Sequence, residues 1–159
     1  MNREILKEEI KRHEGEVLEI YKDSLGYLTL GVGHLIREDD EEYGEPEGTP
    51  ISQEVVDRYY EADFDKHLEE TYHVCEKNNM NFDDLPESIQ HVLVNMCFNL
   101  GPNRLSKFRN MLYACSVGDW EEMSRQMEDS RWYGQVGRRS KELQPVSYTH
   151  LTLPTTKQV

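Results

Sequence analysis

The sequence predicts an α+β fold, in which a short region of strands and turns is followed by a helical C-terminal half. Three observations predict it. Residues 17–36 mix β-branched and aromatic side chains with Gly26, Gly31 and Gly33, which suits two or three short antiparallel strands joined by tight turns. From Ser52 to Lys77 apolar residues recur at helical spacing with neither Gly nor Pro between them. After the break at Asp83-Asp84-Leu85-Pro86, the remaining apolar patterns, over 89–100, 104–115 and 119–129, are all helical in period.

Along the chain, residues 3–13 place Ile5, Leu6 and Ile10 among charges, the pattern of a short amphipathic helix, and Gly15 offers its stop. Glu14 therefore falls at the last turn. Asp23-Ser24 is turn chemistry, which puts Asp23 on a loop beside the strands. Strand alternation sends Tyr27, Thr29 and Gly31 to one face and Leu28, Leu30 and Val32 to the other, so Thr29 is expected on the side of a cleft. Residues 37–50, REDDEEYGEPEGTP, form an acidic loop expected to be solvated. A calcium loop starting at Asp39 fails, because its twelfth position is Pro50 where a bidentate Glu is required, and no metal site is expected.

Ser52, with Glu54 close behind, is an N-cap for the long helix, whose apolar set is Val55, Val56, Tyr59, Tyr60, Phe64, Leu68, Tyr72 and Cys75. Its length suits a bridge between two lobes. His67 and His73, six apart, do not share a helix face and are expected at the surface. Residues 89–100 form a buried helix ended by Gly101-Pro102, and SRWYGQVGRRSKEL, from Ser130, starts a last one with Trp132 and Tyr133 toward the core. Residues 146–159 contain no acid and no helical period, and they match the translated transposase adapter of sequencing libraries. They are expected to be foreign, leaving 1–145 as one domain.

Composition narrows the function. A chain of 159 residues with 36% hydrophobic and 31% charged residues suits a water-soluble domain or two small lobes. No apolar run approaches the roughly 18 residues that cross a bilayer, so stable membrane insertion is not expected. The N-terminus is charged throughout and lacks a signal peptide's apolar core, which points to synthesis and initial residence in a cytoplasm. A net charge of −13 argues against nucleic acid as partner, since phosphate binding needs clustered Lys and Arg. Cys75, Cys97 and Cys115 are odd in number and show no CxxC spacing, so free buried thiols are expected.

Glu14 and Asp23 stand nine residues apart around a helix end and a turn, with Thr29 six residues further on. Cleaving a glycosidic bond requires one carboxylic acid to protonate the leaving oxygen and a second carboxylate to assist the nucleophile. Glu14, at a helix end beside apolar strands, suits the acid. Asp23, on a wetter turn, suits the carboxylate acting on water, and the small hydroxyl of Thr29 can hold that water. In a chain this acidic the pair alone is weak, so the weight falls on the ordered pattern: Glu14-Gly15, Tyr21-Lys22-Asp23, Gly26-Tyr27, Thr29 and Gly31-Val32-Gly33-His34.

That pattern resembles the phage-type lysozymes, the endolysins of tailed coliphages. The resemblance continues through Ile51-Ser52 before the long helix, Asn95-Met96 with Phe98, and Ser130-Arg131-Trp132-Tyr133, and spans about residues 3–144. It implies a lysozyme-like α+β fold with an N-terminal lobe over about 14–52, an interlobe helix over 52–77, and a helical lobe over 82–145 joined by helix 3–13. It also implies a monomeric, cofactor-free, bacteriolytic muramidase that cuts the bond between N-acetylmuramic acid and N-acetylglucosamine in peptidoglycan with inversion. Glu14 would be the proton donor, Asp23 the water-positioning carboxylate and Thr29 the hydroxyl beside it. Leu35 and Phe98 match substrate contacts, and His34 matches a histidine paired with an acid of the long helix, here Asp63. Two further contact positions fall near Met111 and Gln126, where the residues differ from the family's. The family's role implies host lysis from the cytoplasm with a holin as partner. A lytic transglycosylase needs no second acid, so Asp23 and Thr29 argue against it. A non-catalytic wall-binding protein has no need to keep all three residues.

Overall fold

The computed structural model describes residues 1–129. The chain divides inside its longest helix into two compact units, residues 2–66 and the residues from His67 onward.

The first unit opens with α1 (Arg3–Glu14). Asn2 caps it, its side chain accepting the Ile5 N–H at 3.1 Å, and Gly15 ends it at φ 82° while donating to the Lys11 carbonyl at 2.8 Å. A three-stranded antiparallel sheet follows in the order β1 (Val17–Lys22), β2 (Leu28–Gly31), β3 (His34–Leu35). Tyr21 pairs with Thr29, and Thr29 with Leu35. The unit closes with the first half of α2 (Gln53–Lys77), where the Ser52 hydroxyl accepts the Val55 N–H at 3.2 Å, as its N-cap role requires. Leu6, Ile10, Ile20, Leu30, Val32, Ile51, Val56, Tyr60 and Phe64 are its buried apolar residues.

Helix 3–13, expected with the C-terminal lobe, falls in this unit instead. Arg3 reaches Asp65 at 2.6 Å, Lys7 pairs with Glu61, and the Tyr60 hydroxyl donates to the Lys7 carbonyl. The polar face of α1 is thus matched to the acids of α2, a pairing that apolar periodicity does not report.

At Gly31 strand and helix approach closely. Its φ is +60°, and a Cβ there would sit 2.9 Å from Cγ1 of Val56. Gly31→Ala is expected to lower unfolding stability by about 1–3 kcal/mol, combining overpacking with left-handed strain. Urea unfolding measures this, and an unchanged midpoint would contradict the close approach.

The second unit holds the end of α2, a 3₁₀ turn (Phe82–Asp84), α3 (Glu87–Leu100), α4 (Pro102–Ser106), α5 (Arg109–Ser116) and α6 (Trp120–Asp129). The single helix expected over 104–115 is two. Phe108 leaves helical geometry at φ −81°, ψ 60°, and its carbonyl then accepts from Leu112 to begin α5. Neither Gly nor Pro marks that break. Cys75, Cys97 and Cys115 are free and buried, and burial pushes each thiol up to about 12. The helix expected at Trp132 and Tyr133 and the segment 146–159 lie outside the described residues.

Together a small antiparallel sheet and a majority of helix make this an α+β fold of the lysozyme-like kind.

Candidate active site

Glu14 is the last residue of α1, half-buried, and its placement depends on a missing side chain. Gly33 has φ +69°, and a Cβ on it would lie 3.3 Å from Glu14 Oε1. The glycine thus both makes the tight β2–β3 turn and leaves room for the carboxylate.

Asp23 sits at the β1–β2 turn, where its Oδ1 accepts the N–H groups of Leu25 and Tyr27, each at 2.9 Å. This Asx arrangement ties one carboxylate oxygen to the turn backbone. The Asp23 N–H donates to the Tyr27 carbonyl at 2.9 Å, and the Thr29 hydroxyl donates to that same carbonyl at 2.9 Å. One backbone oxygen therefore ties the Asp23 turn to Thr29. Thr29 itself is only 3% exposed, so it is a buried hydroxyl and not the open face that strand alternation suggests. Thr29 and Leu30, on opposite faces of β2, are both buried.

Tyr21, on β1, lies in the field of both carboxylates. Burial raises its pKa, and the charges of Glu14 and Asp23 raise it further, opposed by a hydrogen bond from the Gly33 backbone. The sequence motif alone does not mark Tyr21; the sheet register places it opposite Thr29.

His34 is held between two acids. Its Nδ1 lies 2.8 Å from Asp63 Oδ2 on α2, and its Nε2 lies 2.8 Å from Asp40 Oδ2 in the acidic loop. The ring also stacks on Tyr59 at 4.0 Å between centroids. Burial opposes the charged imidazolium, but hydrogen bonds and charge from Asp63 and Asp40 outweigh it and raise the pKa. Two carboxylate acceptors need two N–H donors, which only the protonated ring supplies. Asp40 also accepts the Arg37 N–H at 2.9 Å, and Glu42 accepts the Tyr59 hydroxyl. The loop expected to be simply solvated is thus anchored at two acids.

Residues 11–145 match the family model described as Phage lysozyme. The chain belongs to the phage lysozyme family. The Dictyostelium discoideum protein named "Probable T4-type lysozyme 1" is 29% identical to it over 153 aligned positions, covering 87% of this chain and 90% of that protein. "Probable T4-type lysozyme 2" of the same organism is 28% identical over 153 positions, with the same coverages. The "Pre-baseplate central spike protein Gp5" of Enterobacteria phage T4 is 32% identical over 152 positions, which cover 86% of this chain but 26% of the spike protein. This family member is therefore a glycoside hydrolase of the lysozyme type, acting on peptidoglycan.

Of the residues singled out from sequence, Glu14, Asp23, Thr29, His34, Leu35 and Asp63 all fall in the unit 2–66. Leu35 is exposed on β3. Phe98 belongs to the second unit, on α3, with its ring 5.0 Å from that of His67 in a T-shaped contact. That unit also holds a pocket of about 300 Å³ lined in part by Lys107, Arg109, Met111 and Gln126. Asp129 lines the same pocket beside its two cations.

Proposed function

We propose that the protein is an endolysin that hydrolyses the β-1,4 bond between N-acetylmuramic acid and N-acetylglucosamine, with inversion, to lyse a bacterial host. The observation that carries this reading is the placement in one unit of Glu14, at the end of α1 against Gly33, and of Asp23, with Oδ1 held by the β1–β2 turn. Glu14 protonates the leaving glycosidic oxygen. Asp23, through Oδ2, takes the proton of a water that attacks the anomeric carbon from the opposite face. Thr29 fixes the local backbone and offers its hydroxyl oxygen to that water, while Leu35 and Phe98 contact the sugar chain. The His34–Asp63 pair braces the hairpin and does no chemistry. The protein works as a monomer, accumulates in the host cytoplasm and reaches the wall when a holin opens the membrane.

Product analysis tests the reaction. Digestion of purified peptidoglycan should release fragments ending in reducing N-acetylmuramic acid, formed first as the α-anomer. Anhydro sugars would instead mark a lytic transglycosylase, and an initial β-anomer would mark retention.

The likeness to the spike protein favours one alternative deployment: the same hydrolase acting as a wall-penetrating part of a virion. Its presence in purified particles, and not in the lysate alone, would select that role.

A further inference from the structure

The second unit contains a group of side chains that the wall-cleaving chemistry does not use. His67 and Glu70 stand one turn apart on α2, and Cys97 reaches them from α3. Their ligand atoms all lie within 4.8 Å of one another. His67, expected at the surface, is only partly exposed: its Nδ1 lies 2.7 Å from Glu70 Oε1, and its ring packs on Phe98. Cys97 Sγ lies 3.9 Å from the same oxygen, and Cys97 itself is fully buried.

We propose that His67, Glu70 and Cys97 form a zinc site. An imidazole nitrogen, a carboxylate oxygen and a thiolate are the three donor types that zinc takes, and three protein ligands leave a fourth position for water. Ordinary zinc bond lengths at a tetrahedral angle put sulfur about 3.6 Å from oxygen and nitrogen about 3.4 Å from oxygen. The observed 3.9 Å and 2.7 Å bracket these values, so sub-ångström side-chain adjustments suffice. At 3.9 Å the thiol is a poor hydrogen-bond partner for the carboxylate, yet it is well placed to share a cation with it.

Charge also balances. Neutral imidazole, carboxylate and thiolate together carry −2, which cancels the charge of the ion in a largely buried setting. Binding replaces the Cys97 S–H proton with metal and releases that proton to solvent. The Thr71 hydroxyl donates to the His67 carbonyl at 2.7 Å and so fixes the backbone that carries the imidazole. Occupation would tie the C-terminal half of α2 to α3 and fix the His67 ring against Phe98. This inference is independent of the lytic reading, since binding and activity are measured separately.

The test is titration of the reduced full-length chain with Co²⁺, followed by Zn²⁺. One equivalent of Co²⁺ should produce a thiolate-to-cobalt charge-transfer band that Zn²⁺ abolishes. The band should survive in a Cys75→Ser, Cys115→Ser double variant and vanish in Cys97→Ser. His67→Asn and Glu70→Gln, both at partly exposed positions, should each weaken Co²⁺ binding at least tenfold and guard against a folding defect in Cys97→Ser. Absence of the band in the unaltered chain, its persistence in Cys97→Ser, or unchanged affinity in both His67→Asn and Glu70→Gln would overturn the proposal.

Discussion

Glu14→Gln should lower the rate of peptidoglycan clearing by about 10²–10⁴-fold while leaving the fold intact. Gln matches Glu in shape and keeps the contact beside Gly33, but it cannot donate a proton to a leaving alkoxide. Turbidity loss of purified walls at matched protein concentration reads the rate, and far-ultraviolet circular dichroism checks the fold. Equal clearing by both proteins would end the assignment of Glu14 as the acid. Asp23→Asn is the companion variant. Asn retains an Oδ1 to accept the Leu25 and Tyr27 N–H groups, so the turn survives while the charge on the second atom is lost. A comparable loss of rate in this variant separates the chemistry of Asp23 from its structural role.

His34→Asn should cost about 3–5 kcal/mol of stability at pH 6, because it leaves two part-buried carboxylates, Asp40 and Asp63, without the cation between them. The penalty depends on pH with a definite sign. The folded-state pKa of His34 is raised above its unfolded value of about 6.5. Its stabilising contribution is therefore complete below that unfolded value and declines as pH rises through the folded one. On the acid side the Asp40 carboxyl, lowered by the Arg37 N–H and by His34 against the opposing effect of burial, contributes above its ordinary value near 3.8 and loses its contribution as pH falls. Urea unfolding of both proteins at pH 6 and pH 9 should show a gap that narrows at the higher pH. A gap constant across that range would mean the imidazolium is not what holds the loop.

Much of the site was legible because its residues lie close in sequence and each has a local signature. A glycine stop fixes Glu14, an Asx turn fixes Asp23, and an N-cap at Ser52 starts α2 where expected. Cross-element relations were not legible. Nothing in the periodicity of residues 37–50 distinguishes Asp40 and Glu42 from the neighbouring acids; only the approach of His34 and Tyr59 does. Thr29 looked cleft-facing because alternation assumes a flat ribbon, and this sheet is short and irregular, with a register shift between Val17 and Tyr21. His67 looked superficial because its partners, Glu70 and Phe98, include one on another helix.

The anchoring of two loop acids sorts the segment for anyone redesigning its charge. Glu38, Asp39, Glu41, Glu45 and Glu47 are exposed, and the ion pair reaching Glu47, from Lys22 at 4.0 Å, is loose. These five can be exchanged for lysine to raise the isoelectric point without touching α2, whereas Asp40 and Glu42 are structural bolts. Acidity here is mostly paint on the surface, and a lineage or a designer can repaint it while the frame stays in place.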